Sequence, residues 1–309
     1  MPSNPDKAVL VTGANGFVGR HLCAHLEGQG HDVRRIQRSG DLGTHSWRVS
    51  DLAQEDIPSI AFDGVETLIH LAASMGGEAS DPEGAKTALM AARVVRAACA
   101  HGVKRVIVLS SVSVRLAQDA PSKARAYALQ KKSAEEAALS GLEDGVHCVI
   151  LRPPVIYGHG ARGSFGTLLA LVRRAPLLPL KNADAPRSYL SRANLSDLIA
   201  LLLSASDAQW HAQHGKAFEP HDGADVSTRA LVRMIAQQLQ RRVILFSVPK
   251  PLIRWAGRLT GKRDQADAIF EPLMCEDIEV LDTAFGWHPH EQMPASLKFL
   301  KRAADRHDP

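Results

Sequence analysis

The sequence has few cysteines and no long apolar run, and these absences exclude several classes of protein. The four cysteines among 309 residues lie far apart and form no Cys-x-x-Cys pair. We therefore expect reduced, mostly buried thiols, and we predict no metal site. The longest apolar run, Leu198 to Ala205, is too short to span a bilayer, and the short polar N-terminus predicts no signal peptide. We expect a cytoplasmic protein without a membrane partner.

A concentrated basic tract is also missing. The net charge is +4, and basic pairs such as Lys131-Lys132 and Arg241-Arg242 are scattered along the chain. We therefore expect no nucleic-acid partner, whereas the mild positive charge is compatible with an anionic small-molecule substrate. The hydrophobic fraction of 45% and the charged fraction of 23% are ordinary for a globular chain. Neither internal repeats nor low-complexity segments are present. The length suffices for one large domain or two modest ones.

A glycine-rich turn near the N-terminus organises the chain. Gly13, Gly16 and Gly19 follow an apolar run, Ala8 to Val11, and precede a helical pattern. In a dinucleotide-binding turn the first glycine permits a sharp bend, the second lets the backbone approach a diphosphate, and the third lets the helix pack closely. The helix N-terminus then offers N–H groups and a positive dipole end to phosphate. The alternative is a glycine-rich turn that binds no ligand. The predicted strand before the turn and the predicted helix after it favour dinucleotide binding.

Predicted strands and helices alternate up to residue 154, which indicates an α/β fold with a doubly wound parallel sheet of the Rossmann type. Beyond Pro154 the regular alternation of predicted strands and helices ends. We therefore expect an NAD(P)-binding domain over 1–154 and a smaller, mixed α/β substrate-binding lobe over 155–309. Segments near 187–204 are expected to rejoin the first domain.

The end of the second predicted strand, His31 to Arg38, bears on the choice between NAD and NADP. An acid there would accept from the ribose 2′-OH of NAD, whereas an arginine can hold the 2′-phosphate of NADP. The sequence has Gln37 and Arg38 and no acid, which favours NADP, although Arg38 could be a solvated loop cation. Asp51 and Leu52 are candidate adenine contacts. The strand ending at Leu71, Ala72 and Ala73 is expected to approach the nicotinamide, with His70 a structural histidine inside it.

Tyr127 and Lys131 lie four residues apart on a predicted helix, so both side chains project from one face. A phenol with an ordinary pKa near 10 is a poor base at neutral pH, and a neighbouring ammonium favours the phenolate. Ser111 ends the preceding predicted strand and can hold the substrate oxygen while Tyr127 moves a proton. Tyr-x-x-x-Lys alone is common by chance on solvated helix faces. Here the motif follows, along the chain, a glycine-rich turn and a predicted strand that ends in two serines. This order of motifs predicts hydride-transfer chemistry.

At this point the chain resembles the extended short-chain dehydrogenase/reductase superfamily, and within it the NAD-dependent epimerase/dehydratase family. Its later blocks look most like bacterial nucleotide-sugar 4-epimerases and 4-keto reductases of surface-polysaccharide pathways. The matching blocks are Thr12–Gly19, Leu68–Ala73, Gly102–Ser111, Tyr127 with Lys131, Leu151–Gly158, Arg187–Asp197 and Gly286–Pro289.

The resemblance implies a site and an assembly. Ser111, Tyr127 and Lys131 would be catalytic, and a homodimer would form through two long helices, Ala85 to His101 and the one that carries Tyr127. Substrate contacts would come from Ser111, Ser113, Ser164 and Arg187, with Arg187 on the substrate diphosphate unless it is a surface cation. NAD(P) would contact Gly13, Asn15, Gly16, Phe17, Val18, Gly19, Arg38, Asp51, Leu52, Leu71, Ala72, Ala73, Tyr127, Lys131 and Pro154.

Several residues depart from the family pattern, and all of them concern the substrate. Arg115 replaces a common tyrosine, Thr87 a usual asparagine, Val155 an asparagine and Asn194 an aspartate. The interval from Ser111 to Tyr127 is also short. An epimerase and a net reductase therefore both remain open, as do a reductase of a small non-sugar carbonyl compound and a non-catalytic NADP-binding sensor or assembly protein. Such sensors usually lose the tyrosine or lysine, and here both are present.

Overall fold

The structure is a computed structural model, and it describes residues 8–72, 84–116, 122–259, 269–276 and 278–304. No helix within these ranges is long and apolar enough to cross a membrane. The strands are β1 (Ala8–Thr12), β2 (Val33–Gln37), β3 (Ser46–Arg48), β4 (Val65–His70), β5 (Arg105–Leu109), β6 (His147–Leu151), β7 (Val155–Tyr157), β8 (Leu177–Leu178), β9 (Tyr189–Ser191), β10 (Ala217–Phe218) and β11 (Ile244–Leu245).

The helices alternate with the strands in the first half and dominate the second. They are α1 (Phe17–Gly28), α2 (Ala85–Ala100), α3 (Ser122–Ser140), α4 (Gly163–Arg174), α5 (Arg192–Ser204), α6 (Asp207–Ala212), α7 (Thr228–Gln238), α8 (Lys250–Leu259), α9 (Glu279–Phe285) and α10 (Phe299–Ala304). Short 3₁₀ helices cover Ser59–Phe62, Val112–Leu116 and Ala295–Leu297.

Seven strands form one parallel sheet in the order β10-β6-β5-β4-β1-β2-β3. The predicted doubly wound parallel sheet is confirmed. All five residues of β1 are buried, as expected for a central parallel strand covered by helices on both faces. The strand order reverses between β1 and β4, and ligands of such sheets bind at the carboxyl ends of the strands at this switch point.

The chain divides into two compact units. The first comprises the described residues of 1–153 together with 195–219 and 279–287. Its core lies between the sheet and helices α2 and α3, with residues such as Leu10, Leu68, Val95 and Val106 fully buried. The return of 195–219 to this unit adds β10 to the sheet, where Phe218 pairs with Leu151.

The second unit comprises the described residues of 154–194, 220–278 and 288–309. It contains two small parallel pairs, β7 with β9 and β8 with β11. Its own core packs α4 and α7 around the buried rings of Tyr157 and Phe165.

Three sequence-based boundaries need correction. The helix of Tyr127 begins at Ser122, so Tyr127 lies in its second turn rather than at its opening. The sequence pattern also predicts a helix from Thr167 to Arg174 and a strand from Val243 to Val248, whereas the helix begins at Gly163 and the strand covers only Ile244–Leu245. The short elements α6, α9 and β10 were not predicted, because two to seven residues carry too little periodicity to be recognised.

Candidate functional site

The glycine turn between β1 and α1 is built by close backbone contact. Gly13 has a φ of 71°, which side chains rarely adopt, and a Cβ on it would lie 2.9 Å from the backbone nitrogen of Ala72. A Cβ on Gly19 would lie 2.3 Å from the carbonyl oxygen of Gly13, so α1 packs directly on the turn. Only glycine fits either position.

The N-terminus of α1 fits a diphosphate. Gly16 precedes the helix as its exposed N-cap, and no side chain caps the helix there. The first N–H groups of a helix and its positive dipole end stabilise an anion. A Cβ on Gly16 would lie 3.1 Å from the carbonyl oxygen of Gly13. Asn15, Phe17 and Val18, the other residues predicted to hold the cofactor here, belong to the same turn and first helical turn.

The loop after β2 is held by side-chain to backbone hydrogen bonds. Asn15 Nδ2 donates to the carbonyl oxygen of Ser39 at 2.5 Å, and buried Gln37 donates from Nε2 to that of Asp41 at 2.7 Å. Arg48 donates to the carbonyl oxygen of Gly40 at 3.0 Å. Arg38 is exposed on this loop. The end of β2, where the sequence predicts the adenosine ribose, therefore presents a cation and no carboxylate side chain at positions 37–39.

Asp51 and Leu52 follow β3 and differ in exposure. The Asp51 carboxylate accepts from Lys86 Nζ at 2.9 Å and from the backbone N–H of Ala53 at 3.0 Å. These hydrogen bonds, led by that from Lys86, lower the pKa of Asp51. The side chain of Leu52 is buried in the core, so a cofactor contact there would fall to its backbone.

The end of β4 lies against the end of β1. The backbone N–H of Leu71 donates to the carbonyl oxygen of Thr12 at 3.2 Å, and that of Ala72 to Thr12 Oγ1 at 3.4 Å. The Thr12 hydroxyl lies 2.8 Å from Nδ1 of His70, which is 3% exposed. Burial, followed by the positive charge of Lys131, lowers the pKa of His70 to about 4. His70 is thus a neutral structural histidine, as predicted, and Ala73 lies outside the described residues.

Ser113, Ser111 and Tyr127 form a chain of hydroxyl groups at the carboxyl end of β5. Ser113 donates to Ser111 Oγ at 2.9 Å, and its backbone N–H points to the same oxygen at 3.3 Å. Ser111 in turn hydrogen-bonds the phenol of Tyr127. Ser110, by contrast, has a buried hydroxyl with no hydrogen-bond partner among the described residues. Of the paired serines, Ser111 therefore faces Tyr127.

The Tyr127 phenol does not have the electrostatics that the sequence suggested. Burial raises its pKa, and the hydrogen bond with Ser111 acts in the opposite direction. The net shift of the phenol pKa is therefore upward, opposite to the direction that the sequence predicted. A phenol with a raised pKa stays protonated at neutral pH, which suits a proton donor.

Lys131 is buried one turn further along α3. Its Nζ donates to the carbonyl oxygen of Leu109 at 3.1 Å, which ties α3 to the end of β5. Burial lowers the pKa of Lys131 to about 8, and the nearby carboxylate of Glu135 acts in the opposite direction. The ammonium therefore titrates close to neutral pH.

Glu135 and Arg152 were missed by sequence reasoning. Arg152 Nε and Nη2 donate to the two carboxylate oxygens of Glu135 at 2.9 and 2.6 Å, a bidentate pair. Glu135 is 4% exposed and follows Lys131 by one turn. From the sequence alone Glu135 resembles a solvated helix residue, and the one available signal was its i,i+4 spacing from Lys131.

The remaining predicted site residues belong to the second unit. Ser164 is exposed in the first turn of α4, and Pro154 is the first residue of the unit. Arg187 precedes β9, donates to the carbonyl oxygen of Glu271 at 2.8 Å, and has a pKa lowered by burial. A cleft of about 390 Å³ between α4 and α10 contains none of the predicted site residues.

The model of the NAD dependent epimerase/dehydratase family matches residues 9–216, about two thirds of the chain. The protein belongs to this family. NAD(P) is therefore the cofactor, and the chain is an NAD(P)-dependent enzyme of the epimerase and oxidoreductase type. The resemblance seen in the sequence motifs is confirmed.

Named relatives match along nearly the full length. UDP-glucose 4-epimerase of Vibrio cholerae is 26% identical, over 96% of this chain and 95% of its own. 2-alkyl-3-oxoalkanoate reductase of Stenotrophomonas maltophilia is 28% identical, over 96% and 99%. The fold is shared with MoeE5 in complex with UDP-glucose and NAD, at a TM-score of 0.74 and 22% identity over 97% of this chain and 99% of that one.

Two departures from the family pattern have structural reasons. Arg115 forms an ion pair at 3.2 Å with Glu219, whose side chain is buried. Asn194 donates at 2.7 Å to buried Asp222, which also accepts from Tyr157 at 2.5 Å. Arg115 and Asn194 therefore support local structure. Thr87 is buried on α2, and Val155 lies in β7.

No group of three or more His, Cys, Asp or Glu side chains in the described ranges is placed to hold a metal ion. Cys23, Cys99 and Cys148 are buried and unbridged, and Cys275 is half-buried.

Proposed function

We propose that the protein is an NAD(P)-dependent enzyme of nucleotide-sugar metabolism, a 4-epimerase or 4-keto reductase of bacterial surface-polysaccharide biosynthesis. The observation that carries this proposal is the hydroxyl chain from Ser113 through Ser111 to Tyr127, beside buried Lys131, in the same compact unit as the glycine turn. The full-length similarity to UDP-glucose 4-epimerase supports a sugar nucleotide as substrate.

The residues have separate tasks in this mechanism. When bound, NAD(P) supplies or accepts a hydride at the reacting carbon of the substrate. Ser111 holds the substrate oxygen, and Tyr127 donates a proton to that oxygen during ketone reduction or removes one during alcohol oxidation. The raised pKa of Tyr127 favours the donor role. Lys131 places an ammonium near the phenolate left by proton donation and stabilises it.

The cofactor would be held by the glycine turn and its surroundings. The turn at Gly13, Gly16 and Gly19 would take the diphosphate, while Asp51, Leu71 and the other predicted contacts would line the nucleoside ends. We propose NADP rather than NAD, because positions 37–39 present exposed Arg38 and no carboxylate. An Arg38→Glu variant should reverse this preference, which the ratio of kcat/KM for the two cofactors measures.

The predicted substrate contacts have separate tasks. Ser111 and Ser113 would contact the sugar, and Arg187 and Ser164 would serve the nucleotide diphosphate. In this proposal residues 1–154 bind the cofactor and 155–309 form mainly the substrate lobe. We further propose a cytoplasmic homodimer.

A panel of UDP- and dTDP-linked sugars and 4-keto sugars, offered with NADPH and NADH, tests the proposal. Net cofactor oxidation identifies a reductase, whereas interconversion of two sugars without it identifies an epimerase. The Tyr127→Phe variant should bind cofactor as the parent does and lose about 10²- to 10⁴-fold in kcat. Parental turnover by this variant would overturn the catalytic assignment.

A reductase of a non-sugar carbonyl compound is the second candidate. The full-length similarity to 2-alkyl-3-oxoalkanoate reductase favours it, so 3-oxoalkanoates belong in the panel. Cofactor binding without turnover of any carbonyl compound would favour a sensor instead. The presence of Ser111, Tyr127 and Lys131 argues for an enzyme rather than a sensor.

A further inference from the structure

We propose that a basic, apolar surface of the second unit binds reversibly to an anionic lipid bilayer. The surface is formed by residues 171–181 and 241–255, and we call it the basic apolar surface. The proposal goes beyond the catalytic function and replaces the sequence-based expectation of no membrane partner. It concerns adsorption to a membrane surface.

Large apolar side chains are concentrated on this surface. Half of the exposed large apolar residues among the described ones lie in these two segments. They are Leu171, Leu177, Ile244, Phe246, Leu252 and Trp255, each at least 42% exposed. Apolar patches of this kind on a folded chain mark contacts with a partner or a membrane.

The backbone arranges these side chains in rows. Leu177 and Ile244 are register partners in the parallel pair of β8 and β11, and both are more than half exposed. Phe246 follows Ile244 by two residues, so it projects to the same face. Leu252 and Trp255 are three residues apart on α8 and share one face of that helix. Along the chain, the exposed residues at β11 are thus followed by exposed residues on one face of α8.

The sequence stretches that carry these rows contain basic residues and no acidic ones. Residues 154–183 contain four lysines or arginines and no acid, and residues 226–259 contain seven and no acid. Arg173, Arg174, Arg241, Arg242 and Lys250 are exposed. Arg229 pairs with Asp184 at 2.7 Å, and Lys250 Nζ lies 5.3 Å from the centroid of the Phe270 ring.

The combination favours an anionic bilayer over other occupants. Juxtamembrane lysines and arginines each gain from the negative potential of anionic lipids, and leucine, phenylalanine and tryptophan side chains enter the headgroup boundary. A second copy of the same surface would bring like charges together. A nucleic acid would neutralise the arginines but offers no apolar phase for Ile244 or Leu252.

Flotation of the full-length protein with vesicles tests the proposal. With phosphatidylcholine vesicles containing about one third phosphatidylglycerol we expect binding, and with phosphatidylcholine alone we expect little, because the cations gain from anionic headgroups. Raising the salt to about 0.5 M should release the protein, since screening weakens the attraction. Equal binding to both vesicle types, or none to either, would overturn the proposal.

Two double variants separate the contributions. Arg241→Gln with Arg242→Gln should weaken partitioning about thirtyfold, at about 1 kcal/mol per charge. Ile244→Ser with Phe246→Ser should also reduce flotation at least about tenfold, because apolar burial drives insertion. The matched controls are Arg96→Gln with Lys104→Gln and Leu42→Ser with Ile60→Ser, exposed residues of the first unit that should leave flotation unchanged. Equal losses in variants and controls would contradict the assignment of this surface.

Trp255 supplies a direct reporter. It is 58% exposed, whereas Trp210 and Trp287 are almost fully buried. Anionic vesicles should shift the tryptophan emission to shorter wavelength, and Trp255→Phe should remove that shift while retaining flotation. A shift that follows protein concentration without vesicles, together with a doubled mass, would instead show self-association through this surface and refute the proposal, as would a shift unchanged in Trp255→Phe.

Discussion

Lys131 of the candidate site interacts electrostatically with a largely buried ion pair, that of Glu135 with Arg152. Its pKa of about 8 results from burial, opposed by the carboxylate of Glu135. Glu135 is in turn held by the bidentate contact with Arg152. Glu135 lies one turn beyond Lys131 on α3, and we propose that it acts through Lys131 as a positioning residue.

The Glu135→Gln variant should shift the alkaline limb of the pH–rate profile for ketone reduction. In the parent, the rate should fall as pH rises through about 8, because neutral Lys131 no longer stabilises the phenolate of Tyr127. Removing the negative charge lowers the pKa of Lys131 further, so the limb should move to lower pH by about one unit. Initial rates at saturating cofactor across pH 6–10 measure it.

Glu136→Gln is the control for this change. Glu136 is the next residue of α3, is 66% exposed, and contacts Lys132 at 3.7 Å. We expect its profile to match that of the parent. A limb that stays in place in Glu135→Gln, in a variant shown by circular dichroism to be folded, would remove Glu135 from the mechanism.

At the scale of elements, the turn into α1 depends on the absence of a side chain at Gly19. The Gly19→Ala variant places a Cβ 2.3 Å from the Gly13 carbonyl oxygen and 2.8 Å from Ala14 Cα, both backbone atoms. The helix must then move away from the turn, which should cost about 1–3 kcal/mol of stability and weaken cofactor binding at least about tenfold. Thermal unfolding and cofactor titration measure the two effects.

Gly28→Ala is the matched change at the other end of α1. A Cβ at Gly28 meets nothing within 4 Å. Alanine is a better helix former than glycine, so this variant should gain about 0.5–1 kcal/mol and bind cofactor normally. If Gly19→Ala behaved like Gly28→Ala, the close packing of turn and helix would not matter for binding.

A feature could be predicted from the sequence where the residues that determine it are close together along the chain. The glycine turn and the Tyr127–Lys131 pair were predicted because their spacing lies within one turn or one helix. Strand β10 has two residues and exists because the chain returns to pair with β6, which no local pattern records. The pairing of Glu135 with Arg152 spans 17 residues and two elements. The pKa of Tyr127 was predicted in the wrong direction because burial cannot be read from spacing.

A buried carboxylate joins several elements of the second unit. Asp222 is 2% exposed and accepts from Tyr157, from Asn194 and from the backbone N–H of Ser191. Its removal takes away one acceptor from each of three buried donors. The Asp222→Ala variant should therefore lose about 3 kcal/mol or more in free energy of unfolding. Asp184→Ala removes a half-exposed carboxylate from an ion pair with Arg229 and should cost about 1 kcal/mol at most. Similar losses in urea unfolding would show that Asp222 is not a structural centre.

For the whole molecule, the two units have different charge and different surfaces. The acid-free stretches lie in the second unit, whereas the long pair α2 and α3 lies in the first. Membrane adsorption and dimer formation can therefore be altered independently. Variants of the basic apolar surface should keep the parental mass, and variants on α2 should keep vesicle binding per subunit.

The proposed homodimer should depend on the outer face of α2. Leu89 is 50% exposed on this face, and α2 packs along α3 within the subunit. A seam in which α2 and α3 pack against the same two helices of a second subunit would cover Leu89. Leu89→Asp would bury an unpaired charge in that seam and should weaken dimerisation at least about tenfold. Light scattering at micromolar concentration should give twice the chain mass for the parent and the single mass for this variant. Val280→Asp, at a 52% exposed position on α9, should remain dimeric. A parent that is monomeric, or a Leu89→Asp variant with undiminished association, would exclude this seam.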